Sequence, residues 1–165
     1  MTSVGDQITV TTRVPIPPAE AFSVFTEELD VWWKRGPRFR PGRGQHGTLV
    51  LEPGVGGALT EHYQDDSPPY MLGRIEAWEP GQRLALRWHD GRFGDALVTQ
   101  LEIRFEPVAG GTEVLLEHRG FDALPHDHPA RDGLVGGDFI SMVGVTWADQ
   151  LVACRAHIGR RPSSA

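Results

Sequence analysis

Residues 137–158 (GDFISMVGVTWADQLVACRAHI) constrain this chain more than any other stretch. Ile140, Val143, Trp147, Leu151, Cys154 and Ile158 recur at spacings of three and four, so all six fall on one stripe of a 3.6-residue helix. No proline interrupts the run. Asp138 is placed to cap its first turn, and Gly159 and Pro162 close its last. About twenty residues at roughly 1.5 Å each make a rod of about 30 Å, enough to cross a small domain. Burying the stripe contributes on the order of 10 kcal/mol gross, and it needs a broad apolar surface to lie on. Met142, Val145, Val152 and Ala156 fall on the opposite side, interrupted by Asp149. That side is too apolar for a fully solvated face, so a homodimer contact or a covering loop is expected there.

The rest of the chain supplies the surface as strands. Residues 7–14 alternate, with Ile8, Val10, Thr12 and Val14 on one face, until Pro15, Pro17 and Pro18 stop them. Residues 19–27 put Ala21, Phe22 and Phe25 on one helical face, and a second short helix is expected over 28–33. A basic loop follows at 34–47, carrying Arg35, Arg38, Arg40 and Arg43 beside Phe39. Six further strands are expected at 48–53, 57–64, 70–79, 82–90, 96–107 and 111–119. Pro53-Gly54, Gly56-Gly57, Ser67-Pro68-Pro69, Pro80-Gly81, Asp90-Gly91 and Gly110-Gly111 separate them, and turns so closely spaced imply an antiparallel meander. Leu84, Leu86 and Trp88, then Thr99, Leu101, Ile103 and Phe105, then Val114, Leu116 and His118, form inward faces for the helix to cover. Residues 120–137 make the last loop. The fold class expected is α+β: a curved antiparallel sheet of about seven strands around a long C-terminal helix, with two short helices after the first strand. A bent sheet cannot lie flush on a straight rod, and the gap between them is a natural place for a ligand.

Composition sets bounds. The 165 residues suit a single domain over 1–165. A formal charge of -6 argues against a nucleic-acid-binding surface. The lone cysteine, Cys154, allows no internal disulfide, and its place on the apolar stripe makes it an inert thiol. With no signal-like N-terminus and no long apolar run, a cytoplasmic protein without a membrane span is expected.

Trp32-Trp33, Glu52-Pro53 with Gly56-Gly57, and the run from Gly73-Arg74-Ile75 through Trp78-Glu79-Pro80 to Arg83-Leu84 and Trp88 carry a family resemblance. Gly111-Thr112, His118, Gly120, Trp147 and Leu151 extend it over nearly the whole chain. In order and spacing these residues resemble the START-like (SRPBCC) helix-grip superfamily, and within it the branch of the C-terminal domain of the activator of heat-shock chaperone ATPase. The sequence departs from that branch at Thr146, where the family usually has glycine, and in its arginine-rich loop. The resemblance implies a helix-grip (START/Bet v-like) fold with a pocket for an apolar or amphipathic small molecule. It does not imply one reaction.

The candidate ligand-binding set is Trp33, Phe39, Leu59, Glu61, Leu86, Trp88, Leu101, Leu116, His118, Phe139, Val143 and Trp147, as the inward faces and the mouth of such a pocket. Glu61 and His118 both sit at inward positions and are the candidate proton-transfer pair. The arginines of 34–47 could hold a carboxylate or phosphate of the ligand. Asp122, His126, Asp127, His128 and Asp132 have ligand chemistry but match no metal motif, so neither metal nor other cofactor is expected. The first reading is a non-enzymatic binder of a small hydrophobic or amphipathic molecule. An acid–base enzyme, cyclase-like on an aromatic or polyketide-like substrate through Glu61 and His118, is the alternative. A module that modulates a partner such as a chaperone ATPase is the third reading.

Overall fold

The computed structural model describes residues 2–4, 7–36, 38–40, 47–89, 97–125, 127–131, 133–134 and 137–162. Its elements run β1 (Thr2–Val4), β2 (Gln7–Val14), α1 (Pro18–Glu27), α2 (Leu29–Trp32), β3 (Thr48–Leu51), β4 (Ala58–His62), β5 (Tyr70–Glu79), β6 (Arg83–Trp88), β7 (Thr99–Val108), β8 (Gly111–Arg119) and α3 (Gly137–Arg160). One antiparallel sheet contains all eight strands in the order β1-β2-β8-β7-β6-β5-β4-β3. Consecutive strands from β3 to β8 are neighbours, as the turn signals require, and β2 closes on β8 with Val10 opposite Leu116.

The sheet has one strand more than the sequence suggests. Three-residue β1 is too short to show alternation, and it is recognised only by its pairing with β2. Register shifts between Leu59 and Thr60, and between Ile75 and Ala77, add the bends expected where a sheet curls. Most differences in bounds are of one or two residues at frayed ends. α3 begins at Gly137, so Asp138 lies in its first turn, where its charge favours the helix N-terminus.

Every alternating position read as inward from Leu84 to His118 is buried. Along α3, Ile140, Trp147, Leu151, Cys154 and Ile158 are buried as the stripe requires, and Phe139 and Gln150 join them. Aromatic rings link the parts into one core. Phe22 packs on Trp78 and Phe105, Phe25 on Phe105 and Trp32, and Trp32 on Trp33, which meets Trp88 of β6 and Trp147 of α3. The C-terminal end of α3 is tied back to α1 through Arg161–Glu20, and to the residue following α1 through His157–Glu28.

Candidate functional site

Where α3 crosses the curl, six aromatic side chains converge. Trp147 lies 5.6 Å, ring centre to ring centre, from both Trp33 and Trp88, and 5.7 Å from His118. Phe121 stands 4.6 Å from His118 and 5.7 Å from Phe139. Gly120, at φ +102°, makes the sharp exit from β8 that brings Phe121 back over the site, a conformation a side chain would disfavour. Between these rings and the loop that follows α2 lies a cavity of about 50 Å³.

Trp33, Phe39, Trp88, His118, Phe139, Val143 and Trp147 of the expected set line it, and so do Arg38, Phe121, Met142, Thr146 and Gln150. Met142, expected on the outer face of the helix, is half-buried and turns to the cavity, because a flexible unbranched side chain reaches round the helix. Leu59, Leu86, Leu101 and Leu116 are buried without lining the cavity. They share the inward face, but the longer aromatic side chains form the wall. The space is far smaller than the roughly 300–1,000 Å³ of pockets for drug-sized ligands. The gap that curvature opens is largely filled by the surplus of rings.

The polar groups around the cavity are tightly arranged. His118 Nδ1 accepts from Trp147 Nε1–H at 2.9 Å, and its Nε2 meets Thr99 Oγ1 at 2.6 Å. An indole nitrogen only donates, so Nδ1 carries a lone pair and Nε2 the proton: the ring is neutral. Gln150, 1% exposed, accepts the Lys34 backbone N–H through Oε1 at 2.9 Å. Arg38 donates from Nε to Thr146 Oγ1 at 3.2 Å and pairs with Asp149 at 3.1 Å. Thr146, the departure from the family's usual glycine, therefore anchors the loop to the helix, and its own hydroxyl donates to Met142 O.

Glu61 is not part of this site. It lies on β4, with β5, β6 and β7 between it and the strand of His118. Parity showed that both face inward, but parity carries no information on strand order. Glu61 is fully buried against Gly47, where a Cβ would come within 2.2 Å of its Cγ. Burial raises its carboxyl above the ordinary range, while the Tyr63 hydroxyl and the Arg40 charge oppose that rise.

The basic loop divides by role. Arg40 is buried and donates to Asp30 Oδ1, Asp30 O, Trp33 O, Lys34 O and Gly47 O, so it serves the loop rather than a ligand. Arg35 pairs with Asp30, and Arg43 lies outside the described residues. Arg131, a residue the sequence did not single out, does the same work in the last loop, donating to Phe121 O, Leu124 O and Pro125 O while stacking on Phe139. Of the metal-type residues in that loop, Asp122 and Asp127 are exposed and His128 Nδ1 accepts from Ala130 N–H. His126 and Asp132 lie outside the described residues. Burial pushes the Cys154 thiol up to about 12, with the charge of Glu28 adding to the rise, so it is no nucleophile at neutral pH.

A curled antiparallel sheet gripping a C-terminal helix across an aromatic-lined cavity defines a START-like helix-grip protein. Within that class, residues 15–137 match the family model described as activator of Hsp90 ATPase homolog 1-like protein, and the chain belongs to that family. No curated protein sequence matches the chain. Among solved structures it is similar to DynU16, a protein of the dynemicin biosynthetic locus, with a TM-score of 0.66 and 16% identity over 95% of this chain. The match spans 48% of DynU16. It is also similar to the HSP90 activator PFC0360w of Plasmodium falciparum, at TM-score 0.62 and 17% identity over 94% of this chain and 97% of that one. A third similar structure is the Aha1 dimer of Colwellia psychrerythraea, at TM-score 0.60 and 14% identity over 92% and 95%. At such identities these likenesses speak for the fold. No helix among the described residues is long and apolar enough to cross a membrane.

Proposed function

We propose that this protein binds a small apolar or amphipathic molecule in the cavity between the sheet, α3 and the loop after α2, without catalysing a reaction. The observation that carries this reading is the wall of rings around open space at the helix–sheet junction. Catalysis through Glu61 and His118 has little geometric support. The Nδ1 lone pair that would take a proton is engaged by Trp147, and the carboxyl lies across the sheet. Modulation of a chaperone ATPase rests on the family description alone.

The test is toluene titrated into the protein and followed by NMR of the tryptophan indole N–H groups. Trp33, Trp88 and Trp147 line the cavity, while Trp32 and Trp78 do not. Signals of the first three should move and those of the other two should stay. Val143→Phe, which adds a ring inside the wall, should weaken toluene about tenfold or more. Shifts confined to Trp32 and Trp78, or no shifts at all, refute the reading.

Self-association has an observation of its own. Val145 and Val152, two turns apart on α3, are 46% and 62% exposed, and the similar Colwellia protein is a dimer. We infer that this face meets a second copy. Sedimentation should show a dimer that Val152→Glu dissociates, and a monomer at all concentrations excludes it.

A further inference from the structure

The hydrogen-bonding capacity left over in the cavity is one-sided. Among the described residues, every nitrogen or oxygen acceptor on its side chains is engaged: His118 Nδ1 by Trp147, Gln150 Oε1 by Lys34 N–H, Thr146 Oγ1 by Arg38. The donors are not. Gln150 is 1% exposed and Trp88 is 4% exposed. Both line the cavity, yet neither the Gln150 side-chain NH2 nor the Trp88 indole N–H has an acceptor among the described residues. Both donors open onto the cavity and are not among the sealed polar atoms that lack a partner, so an occupant that brings acceptor oxygens suits the lining. Among the described residues the lining carries one formal charge, the positive charge of Arg38, since His118 is held neutral. One terminal nitrogen of Arg38 remains without a hydrogen bond among the described residues, beside those engaged by Thr146 and Asp149.

Size and shape narrow the class further. The walls are ring faces and edges, which suit a flat ligand, and the volume of about 50 Å³ admits no large one. One ring needs more room than this, and Met142, with its unbranched thioether, is the lining side chain best able to yield it. We propose that the cavity takes a small planar aromatic carboxylate, its oxygens accepting from Gln150, Trp88 and Arg38. The proposal rests on the reading above that this cavity binds a small molecule, and it names the chemical class.

Sodium benzoate and toluene, matched in shape, separate the two. Measured by calorimetry on the full chain, benzoate should bind at least about tenfold more tightly than toluene. Gln150→Glu keeps an oxygen for the Lys34 N–H and replaces the NH2 by a second oxygen that repels a carboxylate. It should erase that preference by lowering benzoate affinity much more than toluene affinity. Trp88→Phe removes the indole N–H together with part of the ring, a change of shape that acts on both compounds, and it should weaken benzoate several-fold relative to toluene. That variant decides the matter if Gln150→Glu fails to fold. Toluene binding without any preference for benzoate, or a preference that survives in Trp88→Phe and in folded Gln150→Glu, overturns the proposal and leaves the binding reading standing. If neither compound binds the wild type, both fall.

Discussion

At the scale of single residues, two buried groups behave in opposite ways. His118 is fully engaged, and its bond from Trp147 holds only while Nδ1 is unprotonated. Nitrogen NMR should show the Nε2–H tautomer, and a proton on Nδ1 would contradict the geometry. Trp147→Ala should cost about 3–5 kcal/mol in denaturant unfolding, since it removes a buried indole packed against the rings of Trp33, Trp88 and His118. Glu61 is the reverse case, a buried carboxyl whose oxygens lack good hydrogen bonds. Burial holds its proton on in the folded chain beyond the ordinary value of 4.5. Below that value folded and unfolded chains are both protonated at Glu61, and no charge is buried. As the pH rises the unfolded chain loses its proton first, so stability falls through the raised folded value and stays lower above it. Glu61→Gln, always neutral, should therefore raise the melting temperature relative to wild type at about pH 8 and have little effect at about pH 4. An equal effect at both would show that Glu61 is not buried as a charge.

At the scale of elements, the two loops that flank the cavity are each organised by one buried arginine. Arg40 gathers three carbonyls beyond Asp30 and joins the ends of the segment 40–47 through Gly47 O. Arg131 gathers the carbonyls of the turn after β8. Removing such a group strands its partners in the interior. Arg40→Ala should cost about 3–5 kcal/mol, and Arg40→Lys should recover little of it because an ammonium cannot match the planar fork. Urea unfolding of the two variants checks this, and full recovery by lysine would mean that charge alone matters. In the sequence Arg35, Arg38, Arg40 and Arg43 look alike. What separates Arg40 from Arg38 is a reach to Asp30 on α2 against a reach to Asp149 on α3, and spacing along a loop does not encode that.

At the scale of the molecule, ring contacts run without a break from Trp78 through α1, α2 and β6 to Phe139 on α3. Elements joined in this way should unfold together. Tryptophan fluorescence and far-UV circular dichroism should give coincident transitions, and two separated ones would show that the helix and sheet melt independently.

Whatever depends on neighbours along the chain was legible in the residues alone. Period-two alternation marked β2 and β6 to β8, the three-and-four spacing marked α3, and glycine- and proline-containing turns delimited the strands between, because backbone geometry sets each of these locally. Seven of the twelve expected ligand residues line the cavity for the same reason: large inward rings have few other places to go. Tertiary structure decided the rest. It placed three strands between Glu61 and His118, joined His118 to Trp147, turned Arg40 inward and Met142 toward the cavity, and filled most of the gap under the helix. Each of those outcomes depends on which distant side chains meet and on their length and packing, and a pattern of inward and outward positions contains neither.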